Sequence, residues 1–223
     1  MMKQYAILWD YNGVIVNDEH LHEQAFNTVI NKFGAAISHE QFVEYCVGRS
    51  DKNAAINIKT LNPEKLAAIE ALEIVRQKKE EYERVANPKT IISPGAPEQL
   101  KLLAQEFRMA IISGSYRNEI IATLEANEIT NLFETLVTIE DISRSKPDPE
   151  GYVKALDTLG LEAADAIVVE DTPAGIAAAK AAGVTCIGMA QTLPESYLTS
   201  ADYIVKNITQ ISPDIIRSLV QKS

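Results

Sequence analysis

Cysteine is scarce. Only Cys46 and Cys186 occur in 223 residues, far apart in the chain. Two such residues cannot build a disulfide framework, and they point to a reducing, cytoplasmic setting. Positive charge is also short. Lys and Arg number 21 against 31 Asp and Glu, a formal charge of −10. An acidic surface repels phosphate backbones and anionic lipid, so neither nucleic acid nor a membrane is an expected partner. Long apolar runs are missing too. Asp10, Lys180 or a glycine interrupts each one, so no transmembrane helix is expected. The segment MMKQYAILWD has no apolar stretch long enough for a signal peptide. What remains is an ordinary globular balance, 46% hydrophobic and 23% charged. A chain of this length buries a core without staples, as one large domain or one domain with a small companion.

The apolar residues come in short runs. Tyr5–Trp9, Met109–Ile112, Leu136–Ile139, Ala166–Val169, Thr185–Gly188 and Tyr203–Val205 each read as a strand buried on both faces. Helical segments separate the later runs. One opens at Pro97, and others follow Ser115, Pro149 and Pro173. Alternating strand and helix predicts an α/β fold, a Rossmann-like parallel sheet with helices on both faces. One region breaks the alternation. Residues 17–87 carry only helical signals, so an α-helical domain is expected there, inserted into a core of residues 1–16 and 88–223. Asn17 or Asp18 is placed to cap its first helix. Ser38 with Gln41 spells a capping box. Asn62-Pro63 predicts a helix from Pro63 to about Ala86, with Leu66, Ile69, Leu72 and Val75 on one face. The charge-rich stretch Arg76–Arg84 reads as a solvated helix face.

In an open parallel sheet, ligands bind beyond the carboxyl ends of the strands. The first strand ends in Asp10-Tyr11-Asn12-Gly13. The second ends in Ser113-Gly114-Ser115, which is either a phosphate cradle or a capped helix start. After the third comes Ser145-Lys146-Pro147-Asp148-Pro149, a stiff loop able to aim an ammonium. The fourth ends in Glu170-Asp171-Thr172-Pro173. Three carboxylates at one sheet edge repel one another unless a cation neutralises them, and oxygen-only ligands suit Mg²⁺. The alternative is that Glu170 and Asp171 cap the next helix.

These four pieces in this order, with KPDPEGYVKAL and VVEDTPAGIAAAKAAGV, resemble the haloacid dehalogenase superfamily of hydrolases. The likeness is to its helical-cap branch, which includes sugar-phosphate phosphatases and β-phosphoglucomutase. It implies roles. Asp10 would be the nucleophile that forms an aspartyl-phosphate. Ser113 and the Gly114 N–H would hold phosphate, and Lys146 would steady nucleophile and phosphoryl oxygens. Asp10, the Asn12 carbonyl, Glu170 and Asp171 would surround Mg²⁺. His20, His22, Arg49, Lys52 and Asn53 would meet the rest of a small phosphorylated metabolite. A monomer or weak dimer is expected.

Asn12 departs from this pattern, because the family's phosphatases carry Asp there as the general acid and base. An amide does neither job, and losing such a group costs about 10²–10⁴ in rate. The resemblance therefore implies a slowed Mg²⁺-dependent phosphatase, with His20 or His22 as a substitute acid. The alternatives are a C–P bond hydrolase resembling phosphonoacetaldehyde hydrolase, with Lys52 forming a Schiff base, or a non-catalytic protein that binds a phosphorylated ligand.

Overall fold

A computed structural model describes residues 5–220. Six strands form one parallel sheet: β1 (Ala6–Trp9), β2 (Arg108–Ile112), β3 (Thr135–Val137), β4 (Ala166–Glu170), β5 (Thr185–Met189) and β6 (Tyr203–Val205). Their order is β3-β2-β1-β4-β5-β6. All four residues of central β1 are buried. Successive strand residues point to opposite faces, so both faces of the sheet are covered there. Residues 6–9 pair in register with 108–111 on one side and with 166–169 on the other. Asp10 therefore emerges level with Glu170, and the segment after Ile112 emerges beside it.

Helices complete the chain: α1 (Glu19–Asn31), α2 (His39–Tyr45), α3 (Asp51–Leu61), α4 (Ala71–Val85), α5 (Ala96–Leu103), α6 (Arg117–Ala126), α7 (Glu150–Leu159), α8 (Pro173–Ala181) and α9 (Pro213–Val220). The chain divides into two compact units, Met1–Asn17 with Pro88–Ser223, and Asp18–Asn87. In the sheet unit, Tyr152, Ala155 and Leu156 of α7 and Ile176 and Ala179 of α8 pack with Leu8, Ala110, Ile112, Val168 and Cys186. Each fully buried Leu or Ile contributes about 1.5–3 kcal/mol. Alanines along α8 let its backbone approach the sheet. The helical unit has its own core, which includes Phe26, Val29, Ile30, Phe42, Ala55, Ile58, Leu66 and Ile74.

The expected strands are present, with one shift. The third spans Thr135–Val137, so Thr138 and Ile139 lie beyond it. There Thr138 donates its N–H and hydroxyl to Asp141 Oδ2, each at 2.8 Å, which ends the ladder.

The helical unit corrects three expectations. Ser38 and Gln41 do form the capping box, but the helix at Pro63 does not form. Asn62 instead closes α3, its N–H bonded to the Ile58 carbonyl. Residues 63–68 run as turns, Leu66 and Ile69 are buried, and α4 starts only at Ala71. Leu72 is 64% exposed rather than on the packed face. Asp18 occupies the N-cap position of α1 without a side-chain capping bond. Its carboxylate is used elsewhere: it accepts from the Tyr82 hydroxyl at 2.5 Å. The stretch Arg76–Arg84 is solvated only on one side. Arg76 pairs with Glu73 and Glu80, while Lys78 and Tyr82 turn inward and are buried.

Candidate active site

Asp10 leaves β1 with its N–H still on the Val169 carbonyl at 2.9 Å, so β4 fixes its height. The chain then turns tightly. The N–H groups of Val14, Ile15 and Val16 all converge on the Tyr11 carbonyl. Gly13 sits at φ +70°, the left-handed region that favours glycine. A Cβ there would stand 1.8 Å from Asp171 Oδ2 and 2.3 Å from Thr192 Oγ1. Glycine thus lets the Asp171 carboxylate press against the loop that follows Asp10.

At the end of β4, the helix-capping alternative is settled by Thr172. Its side chain is the N-cap of α8 and accepts from Gly175 N at 3.2 Å. Neither acid caps that helix. Glu170 is buried and heavily bonded. Its Oε1 accepts from the Tyr152 hydroxyl at 2.7 Å and from Lys146 Nζ at 2.6 Å. Its Oε2 accepts from Asp171 N at 3.1 Å and Thr172 Oγ1 at 3.3 Å. A Cβ on Gly175 would fall 1.9 Å from Glu170 Oε1, so this glycine also makes room for a carboxylate.

Lys146 arrives from the loop after β3, where the Lys146–Pro147 peptide is cis. Its ammonium bridges Glu170 and Asp10 Oδ1, the latter at 2.7 Å. It also donates to the Ile112 carbonyl at 3.3 Å and lies 5.5 Å from the Tyr152 ring centroid. Burial is the main force raising Asp10, with the charge of Glu170 adding to it. Lys146 opposes both, and the outcome is about 7. For Lys146, burial works downward, but Asp10 and Glu170 outweigh it and hold the ammonium protonated above its ordinary range.

Asp10, Glu170 and Asp171 each place a carboxylate oxygen within 4.8 Å of the others. Three carboxylates and one ammonium leave an excess of negative charge at a buried strand edge. An all-oxygen donor set with that excess fits a hard divalent cation.

The loop after β2 completes the group. Ser113 N donates to the Val137 carbonyl at 2.9 Å, and Ser113 Oγ accepts from Ser115 N at 3.0 Å. A Cβ on Gly114 would meet nothing within 4 Å, so the loop is open at that point. Asn12 reaches across. Its Oδ1 accepts from Ser115 Oγ at 2.7 Å and from Ser113 Oγ at 3.5 Å. The start of α6 is partly engaged, because Glu140 takes the Arg117 N–H at 2.8 Å. The strand ends therefore bring together Asp10, Asn12, Ser113, Lys146, Glu170 and Asp171, all within the sheet unit.

The other candidates belong to the helical unit. His20, Arg49, Lys52 and Asn53 are exposed. His22 is engaged at both ring nitrogens. Nδ1 lies 2.6 Å from Lys78 Nζ and Nε2 lies 3.2 Å from Asp18 Oδ2. An ammonium only donates, so Nδ1 accepts and Nε2 carries the proton. The His22 ring stacks on Tyr82 at 4.4 Å. Lys78 also binds both oxygens of Asp51, at 2.9 and 2.8 Å. Sequence reasoning passed over Lys78, Asp51, Tyr82, Tyr152 and Thr192. Lys78 had a signal, since it stands four residues from both Ile74 and Tyr82, on one helix face.

Known proteins resemble the chain along most of its length. The family model described as haloacid dehalogenase-like hydrolase matches residues 7–189. Validoxylamine A 7'-phosphate phosphatase of Streptomyces hygroscopicus subsp. limoneus is 30% identical over 92% of this chain and 94% of its own length. The crystal structure of β-phosphoglucomutase from Clostridium difficile is similar with a TM-score of 0.83 at 22% identity, covering 100% of this chain and 98% of that one. CbbY from Rhodobacter sphaeroides, solved in complex with phosphate, has a TM-score of 0.78 at 22% identity, covering 94% and 96%. The chain belongs to the haloacid dehalogenase-like hydrolase family.

Proposed function

We propose that the protein is a Mg²⁺-dependent phosphatase acting on a small phosphorylated metabolite through an aspartyl-phosphate. The observation that carries this is the ammonium of Lys146 bridging Asp10 and Glu170, with Asp171 alongside. A carboxylate held at the tip of a rigid strand by a fixed cation is oriented for attack on phosphorus.

The residues divide the work. Asp10 attacks. Lys146 keeps it oriented and offsets charge on the phosphoryl oxygens. Ser113 and the Gly114 N–H hold those oxygens. Glu170, with both oxygens already bonded, positions Lys146 and the Asp171 backbone. Asp10, Asp171 and the Asn12 carbonyl would hold the divalent ion, with Glu170 beside them. That ion, when bound, neutralises charge that develops on the transferring group. Asn12 supplies no acid or base, so turnover is slowed.

In the helical unit, His20, Arg49, Lys52 and Asn53 are proposed to select the organic part of the substrate. Lys52 is exposed in the first turn of α3, and nothing there favours Schiff-base chemistry. The two unpaired, buried thiols support a reducing, cytoplasmic compartment.

The test is release of inorganic phosphate from a panel of phosphorylated metabolites, with Mg²⁺ and with chelator. Metal-dependent release from at least one, abolished in Asp10→Ala, is expected. Ligand binding with no release from any would instead support a binding protein.

A further inference from the structure

β5 ends at Met189, and the chain then turns tightly, with Gln191 N on the Met189 carbonyl at 2.9 Å. Ala190 N donates to the Val205 carbonyl of β6 at 2.8 Å, and Leu193 is buried. Gln191 and Thr192 sit between these anchors. The Gln191 side-chain amide donates to the Gly13 carbonyl at 3.1 Å and to Ser93 Oγ at 2.9 Å. Ser93 is fully buried and donates in turn to the Val14 carbonyl at 2.9 Å. Gln191 thus ties this loop to the turn that follows Asp10, and all of these residues belong to the sheet unit.

The Thr192 hydroxyl oxygen is buried and has no hydrogen-bond partner among the described residues. Buried hydroxyls normally find one, so this oxygen calls for an explanation. Packing does not supply it. Valine has the shape of threonine and would fill the space without an unpaired polar atom. An acceptor stands close by. A Cβ on Gly13 would meet Asp171 Oδ2 at 1.8 Å and Thr192 Oγ1 at 2.3 Å, so the two oxygens flank one point. They are neighbours without being bonded to each other.

We infer that Thr192 is a positioning residue of the cation site: its hydroxyl donates to Asp171 Oδ2 in the ion-bound protein and fixes the orientation in which that carboxylate meets the cation. This rests on the cation site proposed above. A hydroxyl has one proton to give and an ionised carboxylate only accepts, so the bond has one polarity. Gln191 is the brace that keeps the hydroxyl within reach. Carboxylates that ligate a metal are usually hydrogen-bonded themselves, and losing such a partner weakens metal binding about 10–100-fold. The hydroxyl therefore burdens the ion-free chain and serves the ion-bound one.

The test compares the full chain with Thr192→Val and Thr192→Ser. Calorimetric titration gives the Mg²⁺ affinity, and thermal unfolding is followed in chelator and in Mg²⁺. In Thr192→Val the Kd for Mg²⁺ should rise about 10–100-fold, while Tm in chelator should hold level or rise. The Tm gain on adding Mg²⁺ should shrink with the affinity. Thr192→Ser keeps the donor and should keep most of the affinity. A merely structural hydroxyl would give the reverse, a lower Tm in chelator with unchanged affinity. That result, or an equal loss of affinity in both variants, would overturn the inference and leave the cation site standing. No Mg²⁺ binding by the unsubstituted chain would overturn both.

Discussion

Replacing Lys146 with Met probes the site at the contact that holds it together. The change keeps most of the stem and removes the charge. Glu170 is fully buried and Asp10 nearly so, and both look to this one ammonium at 2.6 and 2.7 Å. Removing one partner of a buried pair costs about 3–5 kcal/mol, because the remaining charges stay buried. In a chain of this size, 1 kcal/mol moves Tm by about 2–4 °C, so the variant should melt roughly 6–20 °C lower in chelator. The deficit should depend on pH. Asp10 already stands at about 7, raised by burial and by Glu170 and restrained by Lys146. Without the restraint it rises further. A carboxyl whose folded pKa exceeds its unfolded value stabilises the fold at low pH, and that stability is lost as pH rises through the folded pKa. The Lys146→Met deficit should therefore be small near pH 5 and largest near pH 8. Added Mg²⁺ should restore part of it. Activity should fall at neutral pH, since a protonated Asp10 is no nucleophile. Thermal unfolding at three pH values, with and without Mg²⁺, measures this. A pH-independent deficit, or none, would refute the electrostatic reasoning.

Two other outcomes follow from single contacts. Gly13→Ala would place a methyl group 1.8 Å from Asp171 Oδ2 at a positive φ, so calorimetric titration should show Mg²⁺ affinity reduced at least tenfold; unchanged affinity would remove Asp171 from the cation site. Asp51→Asn would leave Lys78 buried beside His22 without its carboxylate, costing about 3 kcal/mol in urea unfolding at pH 7. Burial pushes the Asp51 carboxyl up, but Lys78 and His22 outweigh it and hold it below its ordinary value. Its contribution is present above the unfolded pKa and lost as pH falls through the folded one. The two proteins should converge in acid, and a constant gap would contradict the pairing.

Much of the site is legible in the sequence because each strand is a short apolar run ended by a polar residue. Asp10, Ser113 and Glu170 announce themselves in that way. Strand order is not written in such runs, and the β1–β4 register that sets Asp10 level with Glu170 appears only in the fold. Tyr152 was hidden for a related reason. It lies on α7, and only the packing of that helix on the sheet delivers its hydroxyl to Glu170. Asn62-Pro63 misleads because the same dipeptide that opens a helix also ends one, and α3 was already running into it. Lys78 was masked by its charged neighbours, since a composition reading averages over the helix and misses the one face turned inward.

If the carboxylates at the tips of β1 and β4 form a divalent cation site beside Asp10, Mn²⁺ should bind there. A crystal structure of the protein grown with Mn²⁺, with the anomalous signal located, tests it most directly. A single strong peak within bonding distance of Asp10, Asp171 and the Asn12 carbonyl is predicted. A structure with Mn²⁺ present at saturating concentration and no peak there, or a peak bound by other residues, would contradict it.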